Sequence, residues 1–188
     1  IPTRGDKILN KPLSEIGGKG LFTAELEEGL IAHEIDLAVH SLKDLPSQLD
    51  KGLKYAGSPR REDVRDALIS KHWNSIQDIP EDGIIATGSV RRKAQLLAVR
   101  PDLNITNLRG NVDTRLKKLN ENNWDGIIVA AAAMHRLNCR NLISEYLDPT
   151  IHVPPAGQGA LGFEIAEDRS DMDDILKSII DDGTTLAC

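Results

Sequence analysis

The stretch Ile84-Ile85-Ala86-Thr87-Gly88-Ser89-Val90-Arg91-Arg92-Lys93 decides the fold. Three apolar residues in a row, bounded by polar ones, read as a short buried strand. Thr87-Gly88-Ser89 reads as a turn, and Ser89 is a good N-cap for a helix running from about Val90 to Val99. The same order then repeats. Ile105-Thr106-Asn107-Leu108 leads through Arg109-Gly110-Asn111 into a helix from about Val112 to Asn120, on which Val112, Leu116 and Leu119 share a face. Asp125 and Gly126 open the strand Ile127-Ile128-Val129-Ala130, and a polar turn, Met134-His135-Arg136, is expected after it. Short strands alternating with helices imply an α/β fold with mainly parallel sheets and right-handed crossovers.

Upstream, Phe22, Leu26, Leu30 and His33 recur at helical spacing, giving an amphipathic helix over 21–34 with His33 as a structural residue on its apolar face. Asp36 and the strand Leu37-Ala38-Val39 follow. The loop His40-Ser41-Leu42-Lys43-Asp44-Leu45-Pro46 ends it, because Pro46 cannot continue a central strand. Helix, Asp, buried strand and polar loop thus occur twice, which predicts two similar lobes. Ser58-Pro59-Arg60-Arg61-Glu62-Asp63 and Val153-Pro154-Pro155-Ala156-Gly157-Gln158-Gly159 read as the crossings between them. The expected division is 1–59 plus 158–180 for a discontinuous lobe one and 62–153 for lobe two, hinged around a cleft, with 181–188 opening a truncated third domain. This architecture resembles that of type II periplasmic binding proteins.

The chain has 188 residues, 40% hydrophobic but only 3% aromatic, so its cores must be built from Leu, Ile, Val and Ala. No apolar run approaches the roughly 20 residues of a membrane helix. Two distant cysteines, Cys139 and Cys188, argue against a disulfide framework and for a reducing, cytoplasmic setting. Ile1 is no start methionine, so no targeting segment can be judged. The net charge of −6 conceals a basic stretch: residues 86–118 hold eight Lys and Arg against two Asp. One concentrated basic segment in an acidic chain suggests a local anion site.

In open α/β sheets ligands bind beyond the carboxyl ends of the strands. The residues expected there are Ser41, Lys43 and Asp44; Thr87, Ser89, Arg91 and Arg92; Arg109 and Gly110; His135 and Arg136; and Arg115, in the first turn of its helix. A helix N-terminus favours an anion, and arginine forks grip carboxylate or phosphate in two places. Several converging arginines imply a ligand with several anionic groups. Gly17-Gly18-Lys19-Gly20 lacks P-loop spacing, and the five histidines show no metal-ligand spacing, so no metal is expected. Asp44, an acid beside Lys43 in a loop that would face a basic cleft, suits a carboxylate that stabilises a cation or moves a proton.

Several of these motifs together resemble porphobilinogen deaminase: Thr3-Arg4-Gly5-Asp6, Gly17 to Phe22, Asp36 to Pro46, Ser89-Val90-Arg91-Arg92, Leu108 to Leu116, and Ala156-Gly157-Gln158-Gly159-Ala160. The resemblance runs in order along nearly the whole chain. It implies a transferase that joins four porphobilinogen molecules into hydroxymethylbilane, releasing ammonia each time, on a covalent dipyrromethane cofactor whose acetate and propionate arms account for the arginines. Asp44 then matches the catalytic aspartate that stabilises the cationic azafulvene. Lys43, Thr87, Ser89, Arg91, Arg92, Arg109, Gly110 and Arg115 match cofactor- or chain-binding positions, and Lys19, Ser41 and Arg136 match positions near the substrate. The partners implied are porphobilinogen and the growing oligopyrrole, with a monomer, no nucleic acid and no membrane expected.

Two departures stand out. The cysteine motif that carries the cofactor in the family is absent, so the fragment alone is expected to be inactive, and Cys188 is not assigned the attachment. Glu15 stands where some members have lysine. The competing readings are a non-enzymatic hinged anion-binding protein and a nucleic-acid module on residues 86–118. The scarcity of aromatics for base stacking weighs against the second.

Overall fold

The computed structural model describes residues 1–3 and 20–188. Lys19, Glu15, the Thr3-to-Asp6 motif beyond Thr3 and most of the glycine loop lie outside the described residues. The chain divides into two compact units. Described residues 1–3 and 20–62 with Pro155–Cys188 form unit 1, and Asp63–Pro154 fall in unit 2.

In unit 1, α1 (Ala24–Ile31) precedes β1 (Ala38–Ser41) and a 3-10 turn, Leu42–Asp44. The helix is shorter than its apolar spacing suggests. Thr23 is its N-cap, Phe22 is exposed, and His33 lies beyond the end at φ 54 with an exposed side chain 3.5 Å from Asp168. His33 is therefore not on the buried face. That face belongs to Leu30, packed with Ala38 and Leu53. β2 (Leu53–Gly57) and β8 (Leu161–Ala166) complete a three-stranded sheet in the order β1-β8-β2, both pairings antiparallel. β8 is central and almost wholly buried, as a strand covered on both sides should be. α5 (Ser170–Leu176) lays Met172 and Leu176 on Phe163 and Ile165. Residues 181–188 carry α6 (Asp182–Ala187), which belongs to unit 1: the Thr185 hydroxyl accepts from the Ser58 amide at 3.0 Å.

Unit 2 holds β3 (Asp66–Ile69), β4 (Ile84–Ala86), α2 (Val90–Val99), β5 (Asn104–Thr106), α3 (Val112–Glu121), β6 (Gly126–Ala130), α4 (Ala131–Arg136) and β7 (Glu145–Tyr146). Its five strands lie in the order β5-β4-β6-β3-β7. The period-two pleat sorts their side chains between two cores. Ala67, Ile69, Ala86, Ile127 and Val129 face Leu119 of α3 and Met134 of α4, whereas Leu68, Ile85 and Ile128 face Leu96 of α2. Truncating any of these large buried residues to Ala costs about 2–5 kcal/mol.

Neither sheet is mainly parallel: the unit 1 sheet is antiparallel and the unit 2 sheet is mixed. β5, β4 and β6 run parallel, joined by the helical crossovers read from the sequence. β3 is the reversed strand, antiparallel to both β6 and β7. β3 opens unit 2 directly after the crossing from unit 1, with no helix before it to reverse its direction. The residues expected as a polar turn after β6 are instead helical. Met134 is fully buried, because α4 must cover the sheet face that ends at Val129.

Candidate functional site

The carboxyl ends of β4, β5 and β6 share one edge of the unit 2 sheet, and α2 and α3 leave it over opposite faces. That reversal of winding is where open α/β sheets bind ligands. The two helix N-termini are brought close there. Thr87 N–H donates to Thr106 O at 2.9 Å, and a Cβ on Gly88 would stand 2.5 Å from Leu108 O. Only glycine lets the β4–α2 loop approach the β5–α3 loop this closely. Ser89 caps α2, its Oγ accepting from Arg92 N–H at 3.4 Å, and Asn111 Oδ1 caps α3 by accepting from Thr114 N–H at 2.9 Å. Each cap satisfies one free amide and leaves the remaining first-turn N–H groups and the positive end of the dipole directed outward.

Around these ends stand the arginines. Arg109 is buried in the β5–α3 loop. Arg115, half-buried on α3, donates Nε–H to Gly110 O at 2.7 Å, and Lys118 Nζ donates to Arg109 O at 3.1 Å. The loop carrying Arg109 and Gly110 is thus tied to the helix carrying Arg115. Arg136 sits exposed in the last turn of α4, and its neighbour His135 places Nε2 2.9 Å from the Tyr146 hydroxyl.

Arg91 and Arg92 turn inward to a residue the sequence reading missed. Asp66 begins β3, in register with Ala130 at the end of β6, and is 1% exposed. Its Oδ1 accepts from Arg92 Nε at 3.0 Å and Nη2 at 2.7 Å, and its Oδ2 accepts from Arg91 Nη2 at 2.8 Å. Burial works to raise the Asp66 pKa. The charge of Arg92 and the hydrogen bonds from both arginines overcome it, so the carboxyl lies below its ordinary value. An acid opening the otherwise apolar run Asp66-Ala67-Leu68-Ile69 was the available signal, since a buried acid needs a cation.

In unit 1, Ser41 ends β1 and Lys43 and Asp44 fall in the 3-10 turn, all three exposed. The turn is held from behind by Ala156-Gly157-Gln158-Gly159-Ala160. Leu42 N–H donates to Ala160 O at 3.1 Å. Gly157, at φ 71, lies where a Cβ would meet Lys43 N at 3.0 Å. That glycine-rich motif, read from the sequence as a crossing, also fixes the backbone under Asp44. Among the described residues no group of His, Cys, Asp and Glu is arranged to hold a metal ion.

A family model described as "Porphobilinogen deaminase, dipyromethane cofactor binding domain" matches residues 1–174. The chain belongs to this family. Its relatives include porphobilinogen deaminases of Syntrophobacter fumaroxidans, 46% identical over 187 residues, and Halalkalibacterium halodurans, 48% identical over 185 residues. The match covers 100% and 98% of this chain and 60% of each relative, so the chain spans about three-fifths of their length. Among solved structures it is similar in fold to a nutrient binding protein from Burkholderia cenocepacia bound to methionine, with TM-score 0.54, 12% identity and coverage of 83% of this chain and 76% of that one. A YaeC-family lipoprotein from Enterococcus faecalis matches at TM-score 0.52, 14% identity and coverage of 84% and 76%. The α/β class, expected from the order of elements, agrees with the fold these neighbours share with the chain. The family's cofactor is a dipyrromethane, and the unit 2 edge suits carboxylate arms: two helix N-termini, Arg109, Arg115 and Lys118 offer N–H donors and positive charge.

Proposed function

We propose that this chain forms the cofactor- and substrate-binding body of a hydroxymethylbilane synthase, which condenses four porphobilinogen molecules head to tail with loss of ammonia at each step. The observation that carries the reading is the unit 2 edge, where two capped helix N-termini converge beside Arg109 and Arg115. A ligand with several carboxylates is the chemistry that edge serves. In the family the dipyrromethane, once bound, supplies the pyrrole carbon from which the product chain grows.

The residues have distinct tasks in this reading. Thr87, Ser89, Arg91, Arg109, Gly110 and Arg115 hold and orient the carboxylate arms, and Arg92, matched by the resemblance to the same binding set, supports them from the interior. Lys43 adds a cation in unit 1. Asp44 accepts from a pyrrole N–H and stabilises the positive charge that develops on the substrate as its aminomethyl group loses ammonia. Lys19, Ser41 and Arg136 contact the incoming porphobilinogen. The protein acts as a monomer in the cytoplasm, with no nucleic-acid or membrane partner. No described helix is long and apolar enough to cross a membrane.

The test is the full-length protein carrying this sequence. It is expected to carry a mass increment of one dipyrromethane, to give colour with an acidic aldehyde reagent, and to consume porphobilinogen with release of ammonia. A protein that binds anions but lacks both adduct and turnover would instead be a hinged anion receptor.

A further inference from the structure

We propose that Asp66 is a positioning residue for the unit 2 anion site: its buried carboxylate makes Arg92 an internal strut and presents Arg91 as the member of the pair that meets the ligand. The inference rests on the anion-site reading above and deepens it by dividing the work of two adjacent arginines.

The division follows from where each guanidinium donates. All three nitrogens of Arg92 are spent on the interior: Nε at 3.0 Å and Nη2 at 2.7 Å on Asp66 Oδ1, and Nη1 at 3.0 Å on Ile128 O. Its side chain is 7% exposed. Arg92 reaches an external anion only by abandoning a buried carboxylate and a strand carbonyl, and that would leave Asp66 poorly compensated. Arg91 differs. It gives Nη2 to Asp66 Oδ2 at 2.8 Å and Nη1 to Gln95 Oε1 at 2.9 Å and Val153 O at 2.8 Å, yet its side chain is 25% exposed. One carboxylate faces two guanidiniums, so a net positive charge remains, and it remains on the exposed member. Asp66 also ties three segments of unit 2 to that charge: the start of β3, the first turn of α2 and, through Arg91, the Val153 carbonyl. A guanidinium held at both Nη1 and Nη2 while still partly exposed is pre-organised for a carboxylate, because its rotamers are already ordered before the ligand arrives.

The experiment compares Asp66→Asn with a stability control, Leu103→Ala, in the full-length enzyme. Leu103 is buried in the α2-side core, and its apolar side chain takes no part in the Asp66 hydrogen bonds. Apo-protein is incubated with porphobilinogen, dipyrromethane loading is read by intact mass, and guanidinium rotation is read from arginine side-chain NMR. Asp66→Asn is expected to load at least ~10-fold more slowly and to lose the slowly rotating signals of Arg91 and Arg92. Leu103→Ala, at a similarly lowered unfolding midpoint, is expected to keep both. Wild-type loading by Asp66→Asn, or equal loss in Leu103→Ala, overturns the proposal. If Asp66→Asn fails to fold, Asp66→Glu replaces it: the charge is kept but displaced by one methylene, so slowed loading supports the role and normal loading overturns it. If the wild-type protein itself takes up no porphobilinogen, the enzyme reading fails, and the guanidinium signals alone decide whether Asp66 orders the pair.

Discussion

Asp44 and Asp66 are both aspartates at strand ends, and their surroundings give them opposite tasks. Asp44 stands exposed on a 3-10 turn, open to the substrate contact proposed for it. Asp66 is sealed under two guanidiniums, where it can only organise others. Replacing Asp44 by Asn in the full-length protein is expected to leave the fold and the adduct intact while slowing porphobilinogen consumption by about 10²–10⁴-fold, the usual range for a positioned proton-handling or charge-stabilising group. Near-normal turnover would remove its assigned role. Arg109→Ala is expected to impair adduct formation, read by intact mass, since Arg109 is a buried cation at the capped end of α3. Asp66 also predicts a pH dependence. Its folded pKa is depressed, so its contribution is complete above the ordinary carboxylate value of 3.8 and is lost as pH falls through the lower folded value. Urea midpoints should therefore fall on acidification through that window in the wild type, with a flatter acid limb in Asp66→Asn.

At the scale of elements, loop chemistry was legible and loop meeting was not. The strand Ile84–Ala86 and the helix Val90–Val99 lie where the apolar run and the Ser89 cap placed them. The helix expected from about Val112 to Asn120 by its apolar spacing is α3, and the structure adds Asn111 as its cap. Met134-His135-Arg136 read as a turn because local polarity outweighed the burial of one Met, and burial is a tertiary fact. The near contact of the β4–α2 and β5–α3 loops was equally invisible, because Gly88 alone says nothing of Leu108. Gly88→Ala is expected to drive the two loops apart, costing about 1–3 kcal/mol in a denaturant titration and weakening adduct formation in the full-length protein. A variant as stable as wild type would mean the loops part without strain.

At the scale of the whole molecule, the two units differ in how they are assembled from the chain. Asp63–Pro154 carry both cores of the unit 2 sheet. A polypeptide of those residues alone is expected to fold cooperatively, with native-like circular dichroism and a single urea transition; a non-cooperative transition would contradict this. Unit 1 depends on the return of the chain, since its central strand is β8. The alternation of strands and helices, the Ser89 cap and the family motifs were already legible in the residue order, because each rests on periodicity or on neighbours within a few residues. It took the folded chain to show that β3 runs antiparallel to β6 and β7, that the glycine motif at 157 backs the Asp44 turn, and that Asp66 gathers Arg91 and Arg92. Those outcomes turn on pairing between residues 25 or more positions apart, and local pattern carries no record of which distant partner a buried charge or a strand edge will find.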